Sequence, residues 1–276
     1  MISNLRCIVL GSGTSSGVPV IACDCPTCTS TDPRDQRLRT SAALCWTDPQ
    51  GHPRTVLIDA SPDLRTQVLR AGLTRCDGIF FTHNHVDHTF GLDEVRRFNV
   101  GQRAPIDLWA ESSTWTHLRR VYAHIFEPDK NINASFVAAV TPHQLSPGSI
   151  IELHGLRIEP LRFMHGHLPI LGFRIEPAST PVAPLPLAWC TDVSAIPPET
   201  MPRLEGLNHL FLDMLRPRPH ETHMHLDQAV EVAHQIGADQ TWFVHMGHEV
   251  HHASLDATLP EGMSLAWDGL VVDQNT

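Results

Sequence analysis

Six consecutive residues, His83-Asn84-His85-Val86-Asp87-His88, bring three imidazoles and a carboxylate into one short stretch. The apolar run before them, Gly78-Ile79-Phe80-Phe81-Thr82, reads as a buried strand, so these groups stand where a strand turns into a loop. In an extended or turning backbone, alternate side chains leave on the same side. His83 and His85 can therefore share one ion, and Asp87 and His88, a turn further on, can reach a second. Imidazole combined with carboxylate suits zinc, manganese or iron better than calcium or magnesium. A histidine-rich surface loop is the plain alternative, and the preceding strand argues against it.

The same arrangement recurs downstream. Apolar runs end at His165 (Phe163-Met164-His165), at Asp192 (Trp189-Cys190-Thr191-Asp192) and at His245 (Val244-His245-Met246-Gly247-His248). One such strand end is ordinary; several along one chain suggest sheet edges converging on one site. Glu221-Thr222-His223-Met224-His225 precedes a helical pattern and offers two further imidazoles, of which either could donate a proton. Asp59 ends an apolar run, where it could orient a ligand or cap the following helix. Cys23-Asp24-Cys25-Pro26-Thr27-Cys28 supplies three thiolates at spacings suited to one tetrahedral zinc, with a fourth ligand to come from elsewhere. Cys7, Cys45 and Cys190 lie in apolar runs and read as packing residues, while Cys76 stays open. Gly11-Ser12-Gly13-Thr14-Ser15-Ser16-Gly17 follows a strand. It is either a tight turn or a phosphate cradle, without the lysine of a Walker loop.

These groups need a scaffold, and the 276 residues suffice for a large core with 42% hydrophobic residues. Strands are expected over 5–10, 40–46, 55–58, 78–82, 105–110, 149–153, 156–163, 171–175, 187–190, 207–212 and 240–244. Helices are expected over 63–71, 92–98, 114–125 and 227–236, with Gly72 and Gly237 as stops. Residues 127–147 read as loop, 177–186 as a hairpin loop, and Asp268-Gly269 as a hairpin turn in the tail 263–272. His251 and His252 read as surface. No shift in composition marks a boundary, so 1–276 is expected to form one domain.

The formal net charge of -10 argues against a general nucleic-acid-binding surface. It does not exclude a small anionic substrate, because bound dications reverse the local field. No segment approaches the roughly 20 apolar residues of a membrane span, and the N-terminus lacks a leader pattern, so a cytoplasmic location is expected. Three crowded cysteines in an odd total of 7 point to metal rather than to disulfides.

The stretch from His83 to His88 is the H-x-H-x-D-H signature, and the chain resembles the metallo-β-lactamase superfamily along nearly its whole length. Within it, the chain is most similar to the cyclic-phosphate phosphodiesterases of the carbon–phosphorus lyase pathway. The resemblance implies an α/β fold, the four-layer αβ/βα sandwich. It implies that His83, His85 and His165 hold one ion, that Asp87, His88 and His245 hold another, and that Asp192 bridges them. Asp87 and His223 would be catalytic, His223 as the general acid. His248 would close a structural zinc with Cys23, Cys25 and Cys28. The implied activity is hydrolysis of small cyclic phosphodiesters, such as 5-phosphoribosyl 1,2-cyclic phosphate, by a hydroxide held at two divalent ions. Manganese is implied there, though zinc or iron would satisfy the same ligands. A homodimer is also implied. Trp267-Asp268-Gly269 matches the family's F-D-G ending, whereas His167 departs from a lysine in the family pattern. Three other readings share parts of this pattern. A transfer-RNA 3′-processing nuclease or a lactone or thioester hydrolase would use the same ligands. A non-catalytic protein similar to pyrroloquinoline-quinone biosynthesis protein B shares the fold and cysteine knot but lacks the full ligand set.

Overall fold

A computed structural model of the protein describes residues 1–132 and 135–276. The chain builds one sheet, then a second, and finally returns to the first. The first sheet contains β1 (Ser3–Gly11), β2 (Ser41–Thr47), β3 (Pro53–Ile58), β4 (Gly78–Phe80), β5 (Ile106–Ala110) and β6 (Val140–Gln144). The second contains β7 (Ile151–Leu153), β8 (Leu156–His165), β9 (Leu168–Pro177), β10 (Leu187–Cys190), β11 (His209–Asp213), β12 (Gln240–Val244) and β13 (Met263–Leu265). β14 (Val271–Val272) pairs with β1. The orders are β14-β1-β2-β3-β4-β5-β6 and β13-β12-β11-β10-β9-β8-β7.

Both faces of each sheet are covered, so the strands are nearly continuous apolar runs. In β1, Leu5, Cys7 and Val9 point to the other sheet, while Ile8 and Leu10 point to the helices. The inter-sheet core is aromatic: Phe80 stacks on Trp109 at 4.4 Å between centroids and meets Phe173 edge-on at 5.5 Å. Outside the first sheet lie α1 (Leu64–Ala71), α2 (Val86–Thr89), α3 (Arg96–Gln102), α4 (Ser112–Val121) and α5 (Ala123–Phe126); α6 (Leu226–Ile236) and α7 (His252–Asp256) belong to the second. The result is the expected four-layer αβ/βα sandwich of the metallo-β-lactamase fold. Among the described residues no helix is long and apolar enough to cross a membrane.

The strand directions explain why the chemistry collects at one edge. β3, β4 and β5 run parallel, as do β10, β11, β12 and β13. Their C-terminal ends therefore lie side by side. Asp59 follows β3, His83 follows β4, Asp192 follows β10, Asp213 closes β11 and His245 follows β12.

Several expectations need correction. Residues 127–147 are not all loop, because Val140–Gln144 forms the edge strand β6 along Ile106–Ala110. Its half-exposed polar residues and Pro142 suit an edge and conceal the strand pattern. Asn133 and Ala134 of that stretch lie outside the described residues. The helix expected over 114–125 breaks at Tyr122, and the one over 92–98 becomes a 3-10 turn leading into α3. Asp268-Gly269 is not a hairpin turn: β13 and β14 belong to different sheets, and Asp268 is a clasp between them. Its buried carboxylate accepts from Ser12 N and Oγ and from Leu38 N, each at 2.8 Å, and from Arg70 Nη1 at 3.1 Å.

That clasp also decides the glycine-rich loop. Gly13 N donates to Leu38 O, Thr14 N to Met246 O and Gly17 N to Thr14 O, so these amides are committed within the protein. A Cβ at Gly11 would stand 2.0 Å from the Arg39 carbonyl oxygen. The loop is a tight turn, and the phosphate-cradle alternative falls. Asp268→Ala should leave the Ser12 and Leu38 amides without acceptors. At about 1–3 kcal/mol for each buried group left unpaired, a loss of about 3 kcal/mol is expected in denaturant unfolding. A loss below about 1 kcal/mol would contradict the clasp.

Candidate metal centre

His83, His85 and His165 offer ring nitrogens that all lie within 4.8 Å of one another, as do the ligand atoms of Asp87, His88, Asp192 and His245. The two groups adjoin. The His83 ring is 4.3 Å from that of His88, and the His165 ring is 4.6 Å from that of His223. His88 Nε2 stands 3.2 Å from Asp192 Oδ2 and 3.3 Å from Asp87 Oδ2; His245 Nε2 stands 3.2 Å from Asp192 Oδ1. Asp192 thus faces both imidazoles of its group, and its carboxylate also lies within reach of His165.

The nitrogens that converge there are held from behind. His88 Nδ1–H donates to Asp59 Oδ2 at 2.7 Å. Thr82 Oγ1 donates to the same oxygen at 2.8 Å and accepts from His83 Nδ1–H at 3.0 Å. Asp59 therefore orients one imidazole of each group, the positioning role weighed for it; it caps no helix. His165 Nδ1–H donates to Thr222 O at 2.7 Å. Asp59, Asp192 and His245 adopt left-handed backbone with φ of 62°, 61° and 62°. Such strain in residues other than glycine gathers where side chains must be aimed.

The interior of the cluster lacks partners. His83 Nε2, His88 Nε2 and both ring nitrogens of His245 are buried without a hydrogen bond among the described residues. Buried polar atoms of this kind need a partner, and divalent ions would supply it. Imidazole and carboxylate are the donor types that zinc, manganese and iron accept, so the residues fit the implied ions. Charge agrees. Burial holds His83 well below the usual imidazole range, which leaves a neutral ligand. Burial opposes charge on His88 too, yet Asp192, Asp59 and Asp87 hold it well above that range. An ion binding there would displace a proton.

The structure brings the cysteine knot and His248 together. His248 Nδ1 lies 3.2 Å from Cys23 Sγ and 3.6 Å from both Cys25 Sγ and Cys28 Sγ. A tetrahedral zinc with its ordinary bond lengths separates a sulfur and a nitrogen ligand by about 3.6 Å. Backbone hydrogen bonding from Cys28 brings the Cys25 thiol down to about 7, whereas burial pushes that of Cys28 up to about 11.

The two candidate proton donors separate. His223 Nδ1–H donates to Asp213 Oδ2 at 2.9 Å, and its ring stacks on that of His245 at 4.7 Å. Burial disfavours charge on this ring, but the Asp213 carboxylate raises it to about 9. His225 is the N-cap residue of α6, outside these groups. His167 is exposed in the β8–β9 turn. His252, expected at the surface, is buried at 1% exposure between the amide contact to Asp35 and the Trp267 ring. Sequence reasoning assigned no role to Asp213 or Thr222. Asp213 ends a strand beside Asp192 and His245, which was the available signal; Thr222 acts through its carbonyl, which no residue type reveals.

A family model described as the beta-lactamase superfamily domain matches residues 54–246. The chain is 34% identical over 275 residues to an octanoyltransferase of Porphyromonas gingivalis, a match covering 98% of this chain and 52% of that protein. The chain spans a third to a half of the length of the curated relatives it matches. Among solved structures, a diphosphatase from the PhnP family superposes with a TM-score of 0.86 at 38% identity, over 99% of this chain and 98% of that one. Zinc-bound PqqB from Methylobacterium extorquens superposes with a TM-score of 0.73 at 21% identity, over 97% and 99% of the two chains; that likeness concerns the fold alone.

Elemental analysis after dialysis against a chelator should find about one zinc per chain, the number one closed thiolate site holds, and none in Cys28→Ser. Unchanged zinc in the variant would contradict the closed site.

Proposed function

The chain belongs to the beta-lactamase superfamily, and from that premise we propose that it is a metal-dependent phosphodiesterase that hydrolyses small cyclic phosphodiesters. In this reading His83, His85 and His165 hold one divalent ion, manganese or zinc. Asp87, His88 and His245 hold the other, and Asp192 serves both. Cys23, Cys25, Cys28 and His248 hold a structural zinc. Bound ions of this kind provide Lewis acidity and lower the pKa of bound water to about 7.

The observation that carries the reading is the Asp213–His223 pair. Hydrolysis of an alkyl phosphodiester expels an alkoxide, which needs a proton. His223 borders the cluster, grouped with His165 and Asp192, and its Nδ1 is tied to Asp213. Asp213 also accepts from Met224 N at 3.2 Å, which fixes the carboxylate against the ring. The free nitrogen of the protonated ring is then aimed at the leaving oxygen. Asp213 is a positioning residue that also keeps the proton on His223 at neutral pH. The likeness to a PhnP-family diphosphatase over nearly the whole chain supports chemistry at phosphorus. The name octanoyltransferase describes a protein of which this chain matches 52%, and acyl transfer is not carried over.

His223→Ala should slow hydrolysis of substrates with alkyl leaving groups by about 10²–10⁴-fold and nitrophenyl esters far less, because nitrophenolate leaves without a proton. Equal losses on both would sink the proton-donor role. The pH profile gives a second check. His223 is raised, so its protonated form is present below about 9 and lost above it. Wild-type turnover of alkyl esters should fall as rising pH removes that proton. Asp213→Asn, lacking the carboxylate, should move that fall to lower pH. A limb that stays in place would contradict the pairing.

A further inference from the structure

Only Met246 and Gly247 separate His245 of the cluster from His248 of the cysteine knot. All four backbone polar groups of these two residues are engaged. Met246 N donates to Ser12 O at 2.9 Å, Met246 O accepts from Thr14 N at 3.1 Å, and Gly247 N donates to Leu215 O at 2.8 Å. The fourth, Gly247 O, accepts from Arg37 Nη1 at 3.2 Å. The spacer between the two sites therefore has no slack, and a displacement at either histidine is passed to the other. Arg37 is the unusual partner, a guanidinium only 1% exposed. Burying such a charge is costly unless it is paired, and Arg37 does more than hold one carbonyl. Its Nη2 donates to Asp35 Oδ1 at 3.0 Å, and the same oxygen accepts from His252 N at 2.8 Å. The pair thus grips the chain on both sides of His248. The backbone of Arg37 reaches the thiol side of the knot. Arg37 N donates to Val18 O at 2.8 Å and Arg37 O accepts from Val18 N at 2.9 Å; two residues on, Val20 N donates to Cys28 Sγ at 3.3 Å. A Cβ at Gly13 would stand 2.8 Å from Arg37 Cβ, so the side chain is walled in.

We propose that Arg37 couples the cysteine knot to the metal cluster: zinc held by Cys23, Cys25, Cys28 and His248 strengthens binding of the divalent ion at Asp87, His88 and His245, and that ion strengthens binding of the zinc. Arg37 is a positioning residue, which acts on His245 through the Gly247 carbonyl. The inference rests on reading the centre as a two-ion site, and it adds a dependence between that site and the knot. The ion at His83, His85 and His165 should sense the knot far less, because Thr82 and Thr222 hold two of its imidazoles from elsewhere.

Calorimetric titration of manganese(II) into protein that holds zinc in the knot tests the coupling without an activity assay. The wild-type protein should bind manganese in two steps. Arg37→Met keeps the length of the side chain and removes its charge and donors. It should weaken one step about tenfold, the size expected when a contact behind a metal ligand is lost, and leave the other nearly unchanged. A purely structural role for Arg37 would weaken both steps alike. The reverse measurement needs no variant, because coupling between two binding sites is reciprocal. In competition with a zinc-selective chromophoric chelator, the knot of manganese-loaded wild-type protein should hold zinc about tenfold more tightly than that of manganese-free protein. Unchanged manganese affinities in Arg37→Met, equal weakening of both steps, or a zinc affinity indifferent to manganese would each overturn the coupling. If Arg37→Met does not fold, the wild-type competition decides alone. Failure of the hydrolytic reading shows separately, as intact coupling in a protein that opens no phosphodiester.

Discussion

Four carboxylates, Asp59, Asp87, Asp192 and Asp213, are buried along one edge of the sandwich, each at 5% exposure or less. Among the described residues none of them is paired with Arg or Lys; imidazoles and hydroxyl or amide groups are their only partners. Taking a charge out of water requires a compensating charge close by. This concentration of buried negative charge is the constraint on which the rest of the structure turns. It accounts for the nitrogens of His83, His88 and His245 that face the same interior without a hydrogen bond among the described residues. It also accounts for left-handed backbone at three non-glycine residues, since an acid or imidazole displaced by an ångström would miss its neighbour.

The fold meets that constraint with parallel strands and two fasteners. β10, β11 and β12 end in register, so Asp213 at the last position of β11 converges with Asp192 and His245 in the turns that follow β10 and β12. The first sheet contributes Asp59 and His83 from the ends of β3 and β4, across the aromatic inter-sheet core. At the far side of His245, the Cys23–Cys28 loop closes on His248. The fully buried Arg37–Asp35 pair lies in the same region, with Arg37 Nη1 donating to Gly247 O at 3.2 Å. Asp268 ties the N-terminal loop to the tail. The segment from 245 to 248 is thereby held by elements remote in the chain.

What could be read in the sequence follows from where information sits in residue types. The clustering of imidazoles and carboxylates and the cysteine knot were legible because imidazole, thiol and carboxylate at strand ends have few other uses. The doubly covered strands were legible as apolar runs, as at Trp189-Cys190 and Trp242-Phe243-Val244. β6 was not, because an edge strand half-exposed to water carries no such run. Asp268-Gly269 has the composition of a hairpin turn, and only the tertiary pairing of β14 with β1 shows that it joins two sheets. Asp213 looked like an ordinary strand-end acid and Asp59 left two roles open, since the partners that decide them, Thr82, His88 and His223, are distant in sequence. His252 illustrates the opposite error: a polar type beside other histidines suggested surface, while packing against Trp267 buries it.

The central claim is that this cluster acts on phosphodiesters. The most direct measurement is hydrolysis of a five-membered cyclic ribose phosphate by the metal-loaded protein, with a lactone and a thioester assayed in parallel. The account predicts that the cyclic phosphate alone is opened, to a phosphate monoester. Turnover of the lactone or thioester with the cyclic phosphate left intact would contradict it.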